Sequence, residues 1–430
     1  MENNNSQSGF FKQAAVTLLV VGGLVGAGVL ALPIDTGLAG FGPSIIGMLV
    51  FGFAMFFSAT VLAKESMLER RDTFNYPSLY QKYFGVKGKW VAVAANMFLL
   101  YGLLIAYITG GSAIISDILN VPPVYHKWVA LLFSLVLIAI IMKGVQIVIK
   151  FNVVFTVVMF FSFIIIVSMG ATHIKAENLA HKDWYFLPCA VPIIVAAFNF
   201  HNLVPTICKT LKYDGRTVIR TIFLGMLIGF VLYIAWIIIG VGVLPIENGE
   251  ASLMHAFENN LPATIPLSEM ITTPFFLSFA MLFSMVALIA SCIANSTGLL
   301  AFVEDLMVNS FKMPNKVLHA VIAFLPPVAI SLIYPDIFLH ALNLAAGFGI
   351  VMLFGIMPAI IAMTKASGKQ RLVAIAVFIL FLGAFTSELL QETGMLKISP
   401  HTEYDLPKIH GKRIIVNFTK RSNIIEEIKR

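Results

Sequence analysis

Residues 21–33 read VGGLVGAGVLALP, which places four glycines and a proline inside an apolar segment long enough to cross a membrane. Each glycine in a helix interior costs about 1 kcal/mol relative to alanine. The proline removes a backbone hydrogen bond and clashes with the preceding turn. The sequence therefore predicts that this helix is interrupted, and the interruption requires a reason.

The composition identifies the class of protein in which this segment lies. Of the 430 residues, 59% are hydrophobic and 12% are charged, whereas a soluble domain carries about 25% charged residues. Apolar runs of about 20 residues recur along the chain, so the sequence predicts an all-α polytopic membrane protein. We expect eleven transmembrane helices, at residues 13–34, 42–63, 90–116, 128–142, 150–169, 186–204, 219–243, 274–303, 317–333, 337–363 and 372–392.

The same reading disfavours several classes of function. Three cysteines without metal-ligand spacing predict neither a disulfide framework nor a metal site. The sequence contains no nucleotide-binding loop and no hydrolase motif, so we expect neither a cofactor nor an enzyme. The net charge of +7 is spread over short loops and a basic tail at residues 397–430, without the basic stripe that nucleic-acid binding requires.

The distribution of basic residues predicts the orientation in the membrane. With a cytoplasmic N-terminus at residues 1–12, the inner loops contain 18 Lys and Arg residues and the outer loops contain three. This asymmetry is typical of membrane proteins, whose basic loops stay in the cytoplasm. Eleven spans would place the basic tail outside, but most of its charge lies too far from the last span to orient the chain.

A second apolar segment is interrupted in a similar way. Residues 186–205 read FLPCAVPIIVAAFNFHNLVP and contain three prolines. Asn199, His201 and Asn202 fall near the middle of this span, where polar side chains are costly unless they face a cavity or a partner. The first and sixth spans are therefore both expected to be discontinuous.

The separation of these two spans predicts an inverted repeat. A unit of five spans is odd, so a second copy enters the membrane from the opposite side. We expect one repeat at residues 13–169 and its inverted partner at 186–363, with an eleventh span at 372–392 outside the repeat. Secondary transporters bind their substrates between such discontinuous helices, near the middle of the bilayer.

An inverted repeat of this kind gives the glycines a chemical purpose. Unwinding at Gly26, Ala27 and Gly28 frees backbone N–H groups at the positive end of a half-helix, where they can hold a carboxylate. Carbonyl groups from Gly22 to Val25 can accept an ammonium group or a cation, so the site matches a zwitterionic amino acid. The alternative is close helix packing through Gly22 and Gly26, and the second interrupted span favours the binding site.

Two motifs carry a resemblance to a known family. GAGVLALP at residues 26–33 and FNFHNLVP at residues 198–205 resemble the first-span and sixth-span motifs of the aromatic amino acid permeases. These are the bacterial tyrosine and tryptophan carriers of the amino acid/polyamine/organocation superfamily. The family pattern in the sixth span is Phe-Gly-Phe-His-Gly followed by a proline, and here Asn199 and Asn202 replace the two glycines.

The resemblance covers residues 10–394 and implies a LeuT-like fold in the bacterial inner (plasma) membrane. It also implies symport of an aromatic L-amino acid with a proton. We expect Gly26 to Gly28 to receive the substrate carboxylate, the backbone near His201 to hold the ammonium group, and two phenylalanine rings to shape the side-chain pocket. The expected substrate-binding residues are Gly22, Val25, Gly26, Ala27, Gly28, Tyr101, Phe198, Asn199, Phe200, His201 and Asn202.

Four residues are candidates for ion coupling. His201 is a titratable group at the second interruption, and histidine ionises near neutral pH; the alternative is a neutral histidine that is hydrogen-bonded to the backbone. Ser291 falls where sodium-coupled relatives supply a hydroxyl group for a cation site. Glu388 in span eleven is expected to be peripheral, and Asp305 ends span eight where it can be solvated. Asp35 is not one of these four candidates and is expected in the outer vestibule.

Three functions stay open from the sequence. The first is proton symport of an aromatic L-amino acid, with substrate, proton and lipid bilayer as the partners. The second is sodium-coupled symport of a neutral amino acid. The third is a non-transporting amino acid sensor on the same fold, which is disfavoured because its output region would have to be the 34-residue tail.

Overall fold

The computed structural model describes residues 2–69, 75–142, 145–247 and 249–398, except for the side chains of residues 2–10, 27, 145–153 and 156. Nearly all of the predicted basic tail lies outside these ranges. The α-helices of the described chain are, in order, α1 (Glu2–Leu24), α2 (Ala27–Ala39), α3 (Phe41–Glu69), α4 (Tyr76–Ile118), α5 (His126–Met142), α6 (Val145–Gly170), α7 (Leu187–Ala197), α8 (Val204–Thr210), α9 (Gly215–Val243), α10 (Leu253–Glu258), α11 (Thr264–Met270), α12 (Pro274–Asn309), α13 (Lys316–Ile333), α14 (Phe338–Leu344), α15 (Met357–Lys365) and α16 (Gly368–Glu392). A π-helical segment, Ala345–Ile356, joins α14 to α15.

The predicted membrane class is confirmed, whereas the predicted number of spans is not. Nine helices of the described chain are long and apolar enough to cross a membrane, and a tenth span is counted when the bent pair α1 and α2 is taken together. The predicted fifth span lies in α6, part of which falls outside the residues with described side chains, and it is not included in this count. The count of eleven and the inverted repeat therefore stay predictions.

The first interruption lies where the glycines predict it. Helix α1 ends at Leu24, α2 begins at Ala27, and the two axes differ by 57°. Gly26 between them adopts an extended backbone conformation, and no side chain caps the start of α2. The first turn of α2 therefore presents backbone N–H groups that no side-chain cap satisfies.

The second interruption follows α7. The backbone leaves the α-helix after Ala197, runs through Phe198 to Phe200, forms a 3₁₀ turn at His201–Leu203 and resumes in α8. A break of this kind leaves backbone groups without their helical partners, and these groups need hydrogen bonds from elsewhere in the protein.

Helix α2 also contains a proline, and a tryptophan replaces the hydrogen bond that it removes. Pro33 has no N–H group to donate to the carbonyl group of Val29, one turn earlier. The indole Nε1 of Trp236, on α9, donates to that carbonyl oxygen at 2.7 Å. Trp236 and Val29 are both buried, so the indole satisfies a carbonyl oxygen that water does not reach.

We predict that Trp236→Phe lowers the thermal midpoint of the protein in detergent. The loss corresponds to about 1–2 kcal/mol, since the Val29 carbonyl group is left buried without a donor. Adding Pro33→Ala to this variant should recover part of the loss, because residue 33 then supplies the backbone N–H group.

The control for this prediction is Trp184→Phe, because the Trp184 side chain is 51% exposed. A midpoint equal to that of the control, or no recovery in the double variant, would show that the indole does not serve as the missing donor.

Candidate functional site

The two interruptions lie against each other in the middle of the helix bundle. A Cβ atom built on Gly28 would lie 3.3 Å from the Cα and N atoms of Ala197, the last residue of α7. A Cβ atom on Gly23 would lie 2.6 Å from a side-chain methyl group of Leu203. Glycine at these positions permits the close approach of one broken helix to the other.

Tyr233 on α9 connects the two interruptions through its hydroxyl group. This oxygen lies 2.8 Å from the carbonyl oxygen of Leu24 and 2.6 Å from that of Ala197. The ring is fully buried. One hydroxyl hydrogen serves two carbonyl groups, each at the end of a helix and each therefore short of a donor. Tyr233 is not among the residues predicted from the sequence, although a tyrosine in the middle of an apolar span is a signal that could have identified it.

His201 lies inside the protein at the second interruption. Its ring is fully buried and stacks against Phe354 with a centroid separation of 5.0 Å. Nε2 lies 3.2 Å from the carbonyl oxygen of Met55 and donates to it, while Nδ1 has no hydrogen-bond partner. This geometry is that of the second alternative drawn from the sequence, a neutral histidine bonded to backbone.

The neighbouring residues differ in where their side chains lie. Phe198 packs in the core against Tyr233 on α9, with a centroid separation of 5.4 Å, and against Gly52 on α3. Phe200 lies beside Gly23 at the first interruption. The ring of Phe198 thus takes part in helix packing, and the expectation that both rings shape a substrate pocket stays a prediction.

The two asparagines that replace the family's glycines are differently placed. The Oδ1 atom of Asn199 is buried and has no hydrogen-bond partner. Asn202 is exposed. Asn199 therefore brings an unused hydrogen-bond acceptor to the second interruption.

The glycines of the first interruption differ in how closely other residues approach them. A Cβ atom on Gly22 would meet no atom within 4 Å, whereas one on Gly26 would lie 2.8 Å from the Oγ atom of Ser291, on α12. Val25 is buried, and the side chain of Ala27 lies outside the described residues. The structure thus brings the Ser291 hydroxyl group to Gly26, as the sodium alternative requires.

Other predicted residues do not reach the interruptions. The hydroxyl group of Tyr101 donates to the carbonyl oxygen of Ile322 on α13. Asp305 is exposed and accepts a hydrogen bond from Asn309 at 2.7 Å. Glu388 is 6% exposed on α16 and packs against Gly347 in the π-helical segment.

The sequence predicted Asp35 in an outer vestibule. This prediction is wrong, because the Asp35 side chain is fully buried. Asn343 on α14, which the sequence did not single out, donates from Nδ2 to Oδ1 of this aspartate at 2.7 Å. A vestibule-like cavity of about 470 Å³ does lie elsewhere, at the C-terminal end of α4, where Asp117, Glu269 and Asp336 contribute to its lining.

Sequence comparison identifies the family of this chain. The model of the tryptophan/tyrosine permease family matches residues 12–389. The chain belongs to this family. The permease is therefore not an enzyme, and the family resemblance seen in the two motifs is confirmed.

Three relatives show how far the likeness of this permease extends. It is 31% identical to "Tyrosine-specific transport system 1" of Haemophilus influenzae, over 78% of this chain and 84% of the relative. It is 26% identical to a "Tryptophan-specific transport protein" of the same organism, over 82% of this chain and 87% of the relative. It is 23% identical to the "Low affinity tryptophan permease" of Escherichia coli, over 82% of this chain and 86% of the relative.

We predict that Gly28→Ala lowers the thermal midpoint of the permease. The added methyl group meets backbone atoms of Ala197 at 3.3 Å, and these cannot turn away as a side chain can. Gly383→Ala on α16 is the matched control, since its added methyl group meets no atom within 4 Å and alanine favours the helix by about 1 kcal/mol. Equal midpoints for the two variants would contradict close contact between the interruptions.

We also predict that Tyr233→Phe loosens both interruptions together. Without the hydroxyl group, two buried carbonyl groups lose their shared donor, at a cost of about 1–3 kcal/mol. Hydrogen–deuterium exchange should become faster in peptides that cover residues 24–29 and residues 197–203.

Tyr334→Phe is the control for that measurement, because the Tyr334 side chain is 60% exposed. Faster exchange in only one of the two peptides would show that Tyr233 does not connect the interruptions.

Proposed function

We propose that this permease imports tyrosine or tryptophan by proton symport, with alternating access to a site between the two interruptions. The contact between Gly28 on α2 and Ala197 on α7 carries the proposal, because it joins two broken helices at one place. Membership of the family and relatives named for tyrosine and tryptophan transport support the aromatic substrate.

The site suits a zwitterion for reasons of charge. Helix α2 has 13 residues and begins at the first interruption without a side-chain cap, so its N-terminus carries a partial positive charge that attracts a carboxylate. Gly26, Ala27 and Gly28 would bind this group. The unpartnered Oδ1 atom of Asn199 would accept a hydrogen bond from the ammonium group.

The aromatic part of the substrate would lie near Phe200, whose Cβ atom is 3.5 Å from the Cβ position on Gly23. An aromatic ring packs well against another ring in an offset or edge-on arrangement, which is worth about 0.5–1.5 kcal/mol beyond the burial of area. Phe198 is already packed in the core and would contribute only its backbone.

Alternating access is supported by a difference in exposure along the broken helices. Gly23 before the first interruption, Asn202 after the second, and Ala294 on α12 are exposed. Leu30, Leu32 and Ile34 in α2 are fully buried. A site open toward α1 and closed toward the end of α2 would correspond to an inward-facing state if the N-terminus is cytoplasmic in the inner membrane, as the loop charges predict.

Sodium coupling is the second candidate, and one observation favours it. The Ser291 hydroxyl group adjoins Gly26, where carbonyl groups of the first interruption would complete a cation site. Proton coupling is preferred because the chain resembles proton-driven carriers. A fully buried acid, Asp35 on α2, is also available to carry the proton.

We predict that the purified permease in proteoliposomes accumulates labelled tyrosine or tryptophan when an inward pH gradient is imposed. A gradient of about one pH unit can sustain roughly tenfold accumulation of a neutral amino acid at one proton per substrate. Unlabelled phenylalanine, tyrosine and tryptophan should compete better than arginine or glutamate.

A sodium gradient at equal pH on both sides is the comparison for this experiment. Accumulation under sodium alone would replace proton symport with the Ser291 site. Binding without accumulation under either gradient would favour a sensor, and best competition by arginine or glutamate would exclude an aromatic substrate.

A further inference from the structure

Two buried polar side chains, one on α2 and one on α14, form a hydrogen bond and leave two acceptor atoms without a donor. Asp35 is fully buried, and its Oδ1 atom accepts the hydrogen bond from Asn343 Nδ2 at 2.7 Å. The second carboxyl oxygen, Oδ2, has no hydrogen-bond partner. The amide oxygen of Asn343, Oδ1, has none either.

Both of the unpartnered atoms are acceptors when Asp35 is ionised. A buried acceptor without a partner costs about 1–3 kcal/mol. A proton on Oδ2 converts the carboxylate into a group that is both donor and acceptor. A carboxylic acid and a primary amide have complementary donors and acceptors, so the amide oxygen of the same Asn343 side chain is the acceptor we assign to this proton. One proton would then supply what both oxygens lack.

The groups around this pair also favour neutralisation. Glu388 on α16 is 6% exposed and lies close enough to interact with the charge of Asp35. The thiol group of Cys189, on α7, lies within the fields of both acids. Among the residues that the structure describes, neither Asp35 nor Glu388 forms an ion pair with lysine or arginine. Two buried negative charges without a cation are unfavourable, and one bound proton removes one of them.

Three further titratable residues in the described part of the chain have partners of their own. Glu392 faces His340, with Oε1 at 3.8 Å from Nδ1. Asp183 accepts hydrogen bonds from the backbone N–H groups of Tyr185 and Phe186. His181, near the end of α2, has its Nε2 atom 3.1 Å from the carbonyl oxygen of Leu38.

His201 is less suited to hold the same proton. Protonation of its buried ring would create a positive charge, and the new N–H group at Nδ1 would have no acceptor in the present geometry. Protonation of Asp35 instead removes a charge and satisfies an acceptor. Protonation of His201 creates a buried charge and protonation of Asp35 removes one, so the cost of desolvation favours Asp35 as the group that binds the proton.

The position of Asp35 connects this pair to the substrate. The residue belongs to the half-helix whose first turn contains Gly28, and Asn343 belongs to the helix that leads into the π-helical segment. We propose that the carboxyl group of Asp35, paired with Asn343, binds the proton that the permease carries with its substrate. This inference rests on the proposed symport and names the group that performs it.

Asp35→Asn tests the inference, because the amide is a permanently neutral copy of the protonated acid. In proteoliposomes under the inward pH gradient, the variant should fail to concentrate labelled tyrosine or tryptophan, so that the roughly tenfold accumulation falls to equality with the outside. It should still exchange labelled for unlabelled substrate when no gradient is present. Asp336→Asn is the matched control, because that side chain is 60% exposed.

The outcomes separate the inference from the proposed function. No accumulation by the wild-type permease under the pH gradient contradicts proton symport itself. Accumulation by both wild type and Asp35→Asn leaves symport standing and overturns the role of Asp35. Exchange without accumulation in Asp35→Asn alone supports it.

A second measurement decides the case in which Asp35→Asn neither accumulates nor exchanges. Infrared difference spectra between acidic and alkaline pH should show the C=O band of a protonated carboxyl group in the wild type. Asn343→Ala should shift this band, because the variant removes the hydrogen bond to that group, whereas Asp336→Asn should not. A band that Asn343→Ala leaves in place would overturn the inference.

Discussion

Within lipid, every backbone N–H and C=O group needs a partner inside the protein, and this permease breaks two helices where no water from the bilayer can replace the lost bonds. Carbonyl groups at the broken ends, and the one that Pro33 leaves free in α2, are satisfied by side chains from other helices. The indole of Trp236 donates to Val29, the hydroxyl of Tyr233 lies against Leu24 and Ala197, and the hydroxyl of Tyr76 donates to His201 at 2.5 Å. These donors make the interruptions permanent features of the fold.

The same requirement explains why the two interruptions face each other. A broken helix exposes partial charges of opposite sign at its two ends, and two such helices in contact create a small polar region surrounded by apolar side chains. Gly28 against Ala197 allows the approach, and Tyr233 on α9 joins both ends. A zwitterion matches this region because it carries both charges over a short distance.

The π-helical segment extends this polar region toward α16. Hydroxyl groups of Ser58 and Tyr80 donate to the carbonyl groups of Phe354 and Leu353 within it, as expected where a wider helix leaves carbonyl groups exposed. Its Phe354 ring stacks on His201, and its Gly347 accommodates Glu388. The segment therefore contacts the second interruption at one end and the buried acids at the other. π-Helical turns are frequent at functional sites in proteins.

The sequence by itself determined the membrane class, both interruptions and the family. Each of these depends on local facts: apolar runs set the spans, glycine and proline weaken particular turns, and two short motifs identify the relatives. The two predicted interruptions lie against each other, Gly28 at Ala197 and Gly23 at Phe200 and Leu203. Their positions could be read from the sequence because they are marked by polar or flexible residues in an apolar background.

Only the tertiary structure decided which side chains complete the site. The ring of Phe198 packs against Tyr233, and the hydroxyl group of Tyr101 donates to α13. Asp35 is fully buried beside Asn343 and does not lie in the expected vestibule. These outcomes depend on how distant helices rotate about their axes, and one apolar span does not specify which face meets which neighbour. Tyr233 and Asn343 escaped notice for the same physical reason: their importance comes from carbonyl and carboxyl groups that lie far away in sequence and become partners only when the helices pack.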